Sequence, residues 1–350
     1  MENNAYIKEK YFAAANGYNG FKSYFSEVFT PTDYERIYVL KGGPGTGKST
    51  FMKKLGRALT ESGYKVEAIF CSSDPKSLDG ITGRSDNKSI AVLDGTAPHE
   101  RDAIIPGAFD EIINLGEAWD TRYLKSQREG IYSLNLEKKQ AYKTAYFYLS
   151  VAGKSRKLSA SLYGDAYNDK IKNVATKLAA DLFEDAKTGK IKTRLISAYG
   201  RSGAVRFDTV ESISSKLYSL PDSLASRIIL RELYVLALSK NLEIMHSPTA
   251  LDESLTDAIF ISSTGIGIVI GSSGEAIDLA GVDNISELNL ERVRVADNIH
   301  TTALVEAQRW FSIASDLHAR LESIYSSAVD FSIIDDTYDK KCAEILEILR

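Results

Sequence analysis

Only two of the 350 residues are cysteine, Cys71 and Cys342, and they lie far apart in the chain. That excludes a disulfide framework and a cysteine metal cluster, and it fits a reducing, cytoplasmic setting. Residues 1–11 mix charged and polar side chains and lack the apolar run of a secretory signal. The most apolar later stretch, 258–270, is broken by Ser and Gly and is too short to cross a bilayer, so it reads as two buried strands and a turn. A large excess of one charge is missing as well: the formal net charge of -4 argues against a surface given over to nucleic acid or anionic membrane. What the chain does have is 44% hydrophobic residues over a length beyond that of most single domains, so two domains are the starting expectation.

The strongest signal is Gly42-Gly43-Pro44-Gly45-Thr46-Gly47-Lys48-Ser49, a full match to the phosphate-binding pattern Gly-x-x-x-x-Gly-Lys-[Ser/Thr]. Composition alone would produce it in a chain of this length with a chance on the order of one in a hundred. Its context narrows the odds further. Arg36-Ile37-Tyr38-Val39-Leu40-Lys41 before it is strand-like, and Phe51, Met52, Leu55, Ala58 and Leu59 after it have helical spacing. Glycines let backbone N–H groups turn toward a phosphate without Cβ clashes, and the helix N-terminus adds its dipole. Gly43, Pro44, Gly45, Thr46, Gly47, Lys48, Ser49 and Thr50 are therefore the expected nucleotide contacts, with Lys48 bridging β- and γ-phosphates and Ser49 on magnesium; Thr50 fits a cap or packing role better than a metal ligand.

A second element is needed, an apolar strand ending in an acid beside the magnesium shell. Ser89-Ile90-Ala91-Val92-Leu93-Asp94 supplies it, with Asp94 the expected metal and catalytic carboxylate. Gly95 follows, so the Asp-Glu pair of many motor ATPases is missing. The strand 65–71 runs into Ser72-Ser73-Asp74-Pro75 and Leu78-Asp79-Gly80, placing Asp74 and Asp79 where either could position water or an acceptor hydroxyl; an Asp-Pro turn and a helix cap are the plain alternative. His99 could orient water or sit satisfied in a turn. Arg84, Lys88, Arg101 and Arg122 are candidate transition-state cations among which the sequence does not choose.

The chain also repeats itself about 180 residues on. Ala13-Ala14-Ala15-Asn16-Gly17 is echoed by Ser197-Ala198-Tyr199-Gly200, and Ile37-Tyr38-Val39-Leu40 by Leu217-Tyr218-Ser219-Leu220. The stretch from Cys71 to Asp79 is set against His246 to Asp252, and Ile90 to Gly95 against Gly267 to Ser272. Where the second copy should carry a phosphate loop it reads Pro221-Asp222-Ser223-Leu224-Ala225-Ser226-Arg227, without glycine or Lys-Ser, so one competent site is expected. Helical segments follow in each half, at about 109–187 and 293–349. Between 137 and 194 thirteen Lys and Arg stand against six Asp and Glu, beside tyrosines 142, 146, 148, 163 and 167. That mixture suits single-stranded nucleic acid or a polyphosphate lid, with a solvated helical hairpin as the plainer reading.

These residues resemble a bacterial family of tandem P-loop proteins described as ATPases or nucleotide-kinase-like proteins. The resemblance rests on residues 41–50, on 71–80, on Asp94-Gly95-Thr96-Ala97-Pro98-His99, and on Pro106-Gly107-Ala108 with Ile112-Ile113-Asn114-Leu115-Gly116; it extends more loosely to Leu317-His318-Ala319-Arg320-Leu321-Glu322-Ser323-Ile324-Tyr325. It implies ATP binding and a duplicated α/β P-loop NTPase fold, a mostly parallel sheet flanked by helices. Members often keep a phosphate loop in both halves, a pattern this chain departs from. The expected division is 1–193, with the helical insertion, and 194–350, a degenerate repeat. The expected activity is ATP hydrolysis or γ-phosphoryl transfer to a small acceptor with Mg2+. A nucleotide-dependent switch with little turnover and a nucleic-acid-stimulated ATPase are the alternatives, the latter not favoured. Adenine is preferred because no Asn-Lys-x-Asp stretch follows Asp94.

Overall fold

The computed structural model describes residues 7–97, 101–163, 165–271, 273–277, 279 and 287–350. His99 lies outside the described residues, as does the side chain of Tyr167. In the first half the order is β1 (Glu9–Phe12), a hairpin of β2 (Ala14–Gly17) and β3 (Gly20–Ser23), α1 (Phe25–Val28), β4 (Arg36–Lys41), α2 (Lys48–Glu61), β5 (Lys65–Phe70), β6 (Leu78–Arg84), β7 (Ser89–Asp94), β8 (Asp110–Asn114), α3 (Thr121–Ser126), α4 (Arg128–Ser161) and α5 (Asp165–Leu182). The second half runs β9 (Lys192–Thr193), the hairpin β10 (Ser197–Gly200) and β11 (Gly203–Arg206), α6 (Thr209–Ile213), β12 (Lys216–Leu220), α7 (Leu224–Ser239), β13 (Ile244–Pro248), β14 (Thr256–Ile261), β15 (Ile266–Ile270), β16 (Glu275–Ala276), α8 (Glu287–Ser326) and α9 (Phe331–Leu349).

Among the described residues each half forms a six-stranded sheet, ordered β1-β5-β6-β7-β4-β8 and β9-β13-β14-β15-β12-β16. In both sheets only the third strand, β6 or β14, runs antiparallel to its neighbours. The protein is therefore α/β, with two mixed, mostly parallel sheets flanked by helices, the second repeating the order and directions of the first. The central strand β4 is buried on both faces, with Ile37, Tyr38, Val39 and Leu40 all at 0% exposure, as parallel strands covered by helices require. Helix α2 presents Phe51, Met52, Leu55 and Leu59 to that sheet. It stops at Gly63, whose positive φ of 84° lets the chain reverse; Asn241, the only non-glycine of positive φ among the described residues, does the same after α7.

The matching hydrogen bonds correct the sequence register of the repeat. Cys71 N donates to Ser77 O, as Thr249 N does to Leu255 O, and Ser77 N to Asp74 O, as Leu255 N does to Asp252 O. Asp74 thus corresponds to Asp252 and Asp79 to Asp257, whereas the sequence comparison set Asp79 against Asp252. Gly95 N and Gly271 N donate to Leu40 O and Leu220 O, so the counterpart of Asp94 is Ile270 and not Gly271. The first helical segment also starts later than 109, because residues 110–114 add strand β8 to the sheet beside β4.

The halves exchange helices. α5 packs on α7 of the second half, and α9 packs on α2 of the first through Phe51 against Tyr338 and Lys54 on Asp335. α4 and α8 run antiparallel against each other, Leu134 and Ala141 clustering with Leu317 and Leu321 at one end, and Ser155 donating to the Ala296 carbonyl toward the other. One apolar cluster takes residues from both sheets, including Leu40, Ile69, Met245 and Val269, with Leu195 from the connection between β9 and β10.

His246 on β13 is 6% exposed, stacks on Tyr234 at 3.6 Å between ring centroids, and shares a 3.0 Å hydrogen bond with Thr256. Burial holds its pKa down to about 4, against 6.5 for the ordinary imidazole. Between those values the unfolded chain binds a proton that the folded one refuses. This contribution is therefore complete above pH 6.5 and is lost as the pH falls toward 4, at most about 3 kcal/mol. Urea midpoints at pH 7.5 and 4.5 should differ less in His246→Gln than in the parent protein. Equal losses in both would remove His246 as the cause.

Candidate functional site

The glycine-rich loop joins the carboxyl end of β4 to α2. Gly45 and Gly47 adopt φ of 71° and 84°, which side chains resist, and Thr46 closes the loop by donating to the Gly43 carbonyl at 2.8 Å. Lys48 Nζ folds back and donates to the carbonyls of Gly42 and Gly43, both at 2.8 Å, with Asp94 Oδ2 3.7 Å away. Asp94 ends β7 next to β4, and its Oδ1 accepts from the backbone N and hydroxyl of Thr96 at 2.9 and 2.6 Å. Ser49 Oγ accepts from Leu78 N at 2.9 Å, which ties the start of α2 to the start of β6. Thr46, Lys48, Ser49 and Asp94 are thus brought together, while Thr50 is exposed on α2.

Asp79, expected near the phosphates or at a turn or helix cap, is a buried residue of β6. Because β6 starts at the carboxyl edge where the other strands end, Asp79 enters beside Asp94. Burial foremost, and then the charge of Asp79, raise the pKa of Asp94 against the opposing pull of Lys48 and Thr96. A surplus of carboxylate next to a hydroxyl is what a hard divalent cation relieves, and the oxygen donors Ser49 and Asp94 suit magnesium. No group of three His, Cys, Asp or Glu side chains able to hold a metal occurs among the described residues. Magnesium shared with substrate phosphates and water needs only one or two protein ligands.

Asp74 closes its own turn, with Lys76 N on its carboxylate at 3.3 Å and Ser77 N on its carbonyl at 2.9 Å. The candidate cations separate clearly. Arg101 is 6% exposed and spent on Asp110 at 3.3 Å and on the Phe29 carbonyl. Arg84 and Lys88 flank the β6–β7 turn at the sheet edge opposite the loop, and Arg122 is exposed on α3.

What sequence reasoning missed is the roof. The end of α8 and the start of α9, some 280 residues from the loop, lie directly on it: Ser326 Oγ donates to the Gly45 carbonyl at 3.1 Å. A Cβ on Gly45 would stand 2.5 Å from both the Glu322 carbonyl and Ser326 Oγ, one on Gly43 3.0 Å from the Tyr325 ring, and one on Gly47 3.6 Å from Phe331. The loop glycines are thus also needed for the approach of the other half. Trp119 packs against Gly43 and Tyr325, and its buried indole Nε1 has no acceptor among the described residues. On the same roof His318 and Glu322 lie 3.6 Å apart. Burial, with Lys138 and Lys48, pushes His318 down to about 4, and burial, with Asp74, raises Glu322.

In the second half the counterpart loop has changed. Matching the C-terminal turns of α2 and α7 sets Lys48 against Ser226 and Ser49 against Arg227, on a connection two residues shorter. Arg227 pairs with Asp257, the counterpart of Asp79, at 3.2 Å. A cavity of about 410 Å³ lies there, lined by Arg156 of α4, Tyr163 just beyond that helix, Arg227, Asp252 and His300. Two of the tyrosines of the basic segment are not free platforms for bases. Tyr142 and Tyr146 pack on Phe311 of α8, and the Tyr146 hydroxyl donates to Asn16 at 2.8 Å. No helix among the described residues is long and apolar enough to cross a membrane. Compared with protein-family models, with curated proteins and with solved structures, the chain matches none of them.

Proposed function

We propose that the chain is a tandem P-loop NTPase with one working site, which binds ATP with Mg2+ on residues 43–50 and passes the γ-phosphoryl group to water or a small acceptor. The observation that carries this reading is the convergence of Lys48, Ser49, Asp79 and Asp94 on a glycine-rich loop at the carboxyl edge of the first sheet, where ligands of open α/β sheets bind. Ser49 and Asp94 would hold magnesium, which when bound would neutralise charge on the phosphate oxygens. Lys48, now turned onto the Gly42 and Gly43 carbonyls, is the ammonium that would follow the phosphates. The second half reads as a frame that has exchanged its site: Ser226, Arg227 and Ile270 stand where Lys48, Ser49 and Asp94 would be, and Arg227 places a fixed cation where a metal-binding hydroxyl is needed.

Calorimetric titration with ATP and magnesium should therefore give one site per chain, lost when magnesium is chelated, and γ-labelled ATP should yield labelled phosphate or a labelled acceptor. Absence of binding, or two equivalent sites, would overturn the proposal. The roof favours a second reading, a nucleotide-dependent switch, because ligand on the loop would press directly on α8. Tight binding with negligible turnover and an ATP-dependent change in small-angle scattering would select it. The nucleic-acid reading is weakened by the inward packing of Tyr142 and Tyr146.

A further inference from the structure

The apolar stripe by which α4 packs on α8 runs Leu134, Ala141, Ala145, Leu149 and Ala152, all buried, and the position between the first two, four residues after Leu134, is Lys138. A lysine in an interhelical stripe costs desolvation, and this one is half-buried without a carboxylate in ion-pair distance among the described residues. Packing of Leu134 and Ala141 on Leu317 and Leu321 sets Lys138 beside the turn of α8 that carries His318 and Glu322, and that turn lies on the glycine-rich loop. Its charge acts on both His318 and Glu322, as does that of Lys48.

The other half repeats the device. On α8 the stripe Ala296, Ala303 and Ala307 has His300 at the equivalent place, four residues after Ala296, and His300 lines the cavity over the altered loop of the second half. Each long helix thus carries a nitrogen-bearing side chain within its apolar seam toward a loop; His300 is bonded to the Tyr18 hydroxyl at 2.7 Å and held neutral by burial, whereas Lys138 has no such partner in ion-pair distance among the described residues.

We propose that Lys138 belongs to the catalytic site formed with Lys48, as the cation that meets the γ-phosphoryl group in the transition state, with Glu322 on the facing turn of α8 as the positioning residue whose charge draws it toward the loop. This rests on the ATP reading above. In the step it serves, the acceptor oxygen forms its bond to the γ-phosphorus as the bond to the β–γ bridging oxygen breaks. ADP leaves with that electron pair, and the acceptor's proton passes to solvent. A flexible ammonium aimed at the equatorial oxygens stabilises the charge that builds there. The competent site then needs the helix pair, so the first sheet and its loop alone are incomplete.

The test is steady-state hydrolysis of Mg-ATP by the full-length chain, alongside direct titration of ATP binding. Lys138→Ala should lower kcat by about tenfold to a hundredfold, with the dissociation constant for ATP within threefold of the parent and the melting temperature unchanged or raised. Lys138→Arg should recover part of the loss, and Glu322→Gln should lower kcat less than Lys138→Ala does. Turnover by Lys138→Ala within twofold of the parent would overturn the proposal. So would a loss confined to ATP affinity, since that is ground-state binding. Failure of the parent chain to bind ATP would instead overturn the reading of the loop itself, so the two failures are distinguishable.

Discussion

Lys48→Ala is expected to lower ATP turnover by at least about a hundredfold while the far-UV circular dichroism spectrum stays that of the parent. The ammonium is mostly screened from water and flanked by two backbone carbonyls and the Asp94 carboxylate, so it forms a positive centre at the mouth of the loop. Its removal takes away the one charge that follows the transferring group without touching the apolar face of α2, where Phe51, Met52, Leu55 and Leu59 hold the helix to the sheet. Asp94, whose pKa burial and Asp79 already raise, loses its main opposing cation. Parallel measurement of phosphate release and thermal melting checks this. Turnover within threefold of the parent would mean that Lys48 plays no part in the chemistry.

The second large effect concerns stability. Arg194, 8% exposed in its side chain, donates through Nε to Glu67 at 3.0 Å and through a terminal nitrogen to the Thr193 carbonyl. It stands where the second half begins, and Glu67 lies on β5 of the first sheet. Burial works against ionisation of Glu67, but Arg194 and Lys192 outweigh it and hold its carboxyl below the usual range. Arg194→Met should destabilise the chain by about 3–5 kcal/mol, because it strands a buried carboxylate between the halves. The double variant Glu67→Gln with Arg194→Met should regain much of that loss, since it leaves no unpaired charge. The single variant should also suffer less at pH 5 than at pH 8, as protonation of Glu67 removes the penalty. Urea denaturation of the set at both pH values tests this, and equal stability of single variant and parent would show the pair to be idle.

The legible part of the chain is local. Strand β4, the loop and α2 are contiguous, and the alternation, glycine spacing and helical periodicity of some thirty residues specify them together. Asp94 was legible because β7 is a short apolar run with one acid at its end. Asp79 was legible as a residue near the site but not as part of a strand, because Leu78-Asp79-Gly80 carries turn residues, and only pairing with β5 and β7 makes it strand. The repeat was visible, but its register slid by three residues at Cys71 and by one at Asp94. Apolar strands of similar composition align almost equally well when shifted, and backbone hydrogen bonds fix what side-chain type leaves loose. The packing of Tyr142 and Tyr146 was not legible for the same reason: periodicity marks a face of α4 and says nothing of what covers it.

The sequence by itself determined a glycine-rich loop between a buried strand and a helix, one acid-tipped strand, and a second half without the loop's residues, because each of these is written within a few turns of chain. Tertiary structure alone decided that α8 roofs the loop, that α4 and α8 cross with Lys138 in their seam, and that α5 and α9 each cover the other half's helix. Those contacts join residues of separate elements remote in sequence, and which apolar faces meet depends on the shapes of two finished sheets, which short-range patterns do not encode.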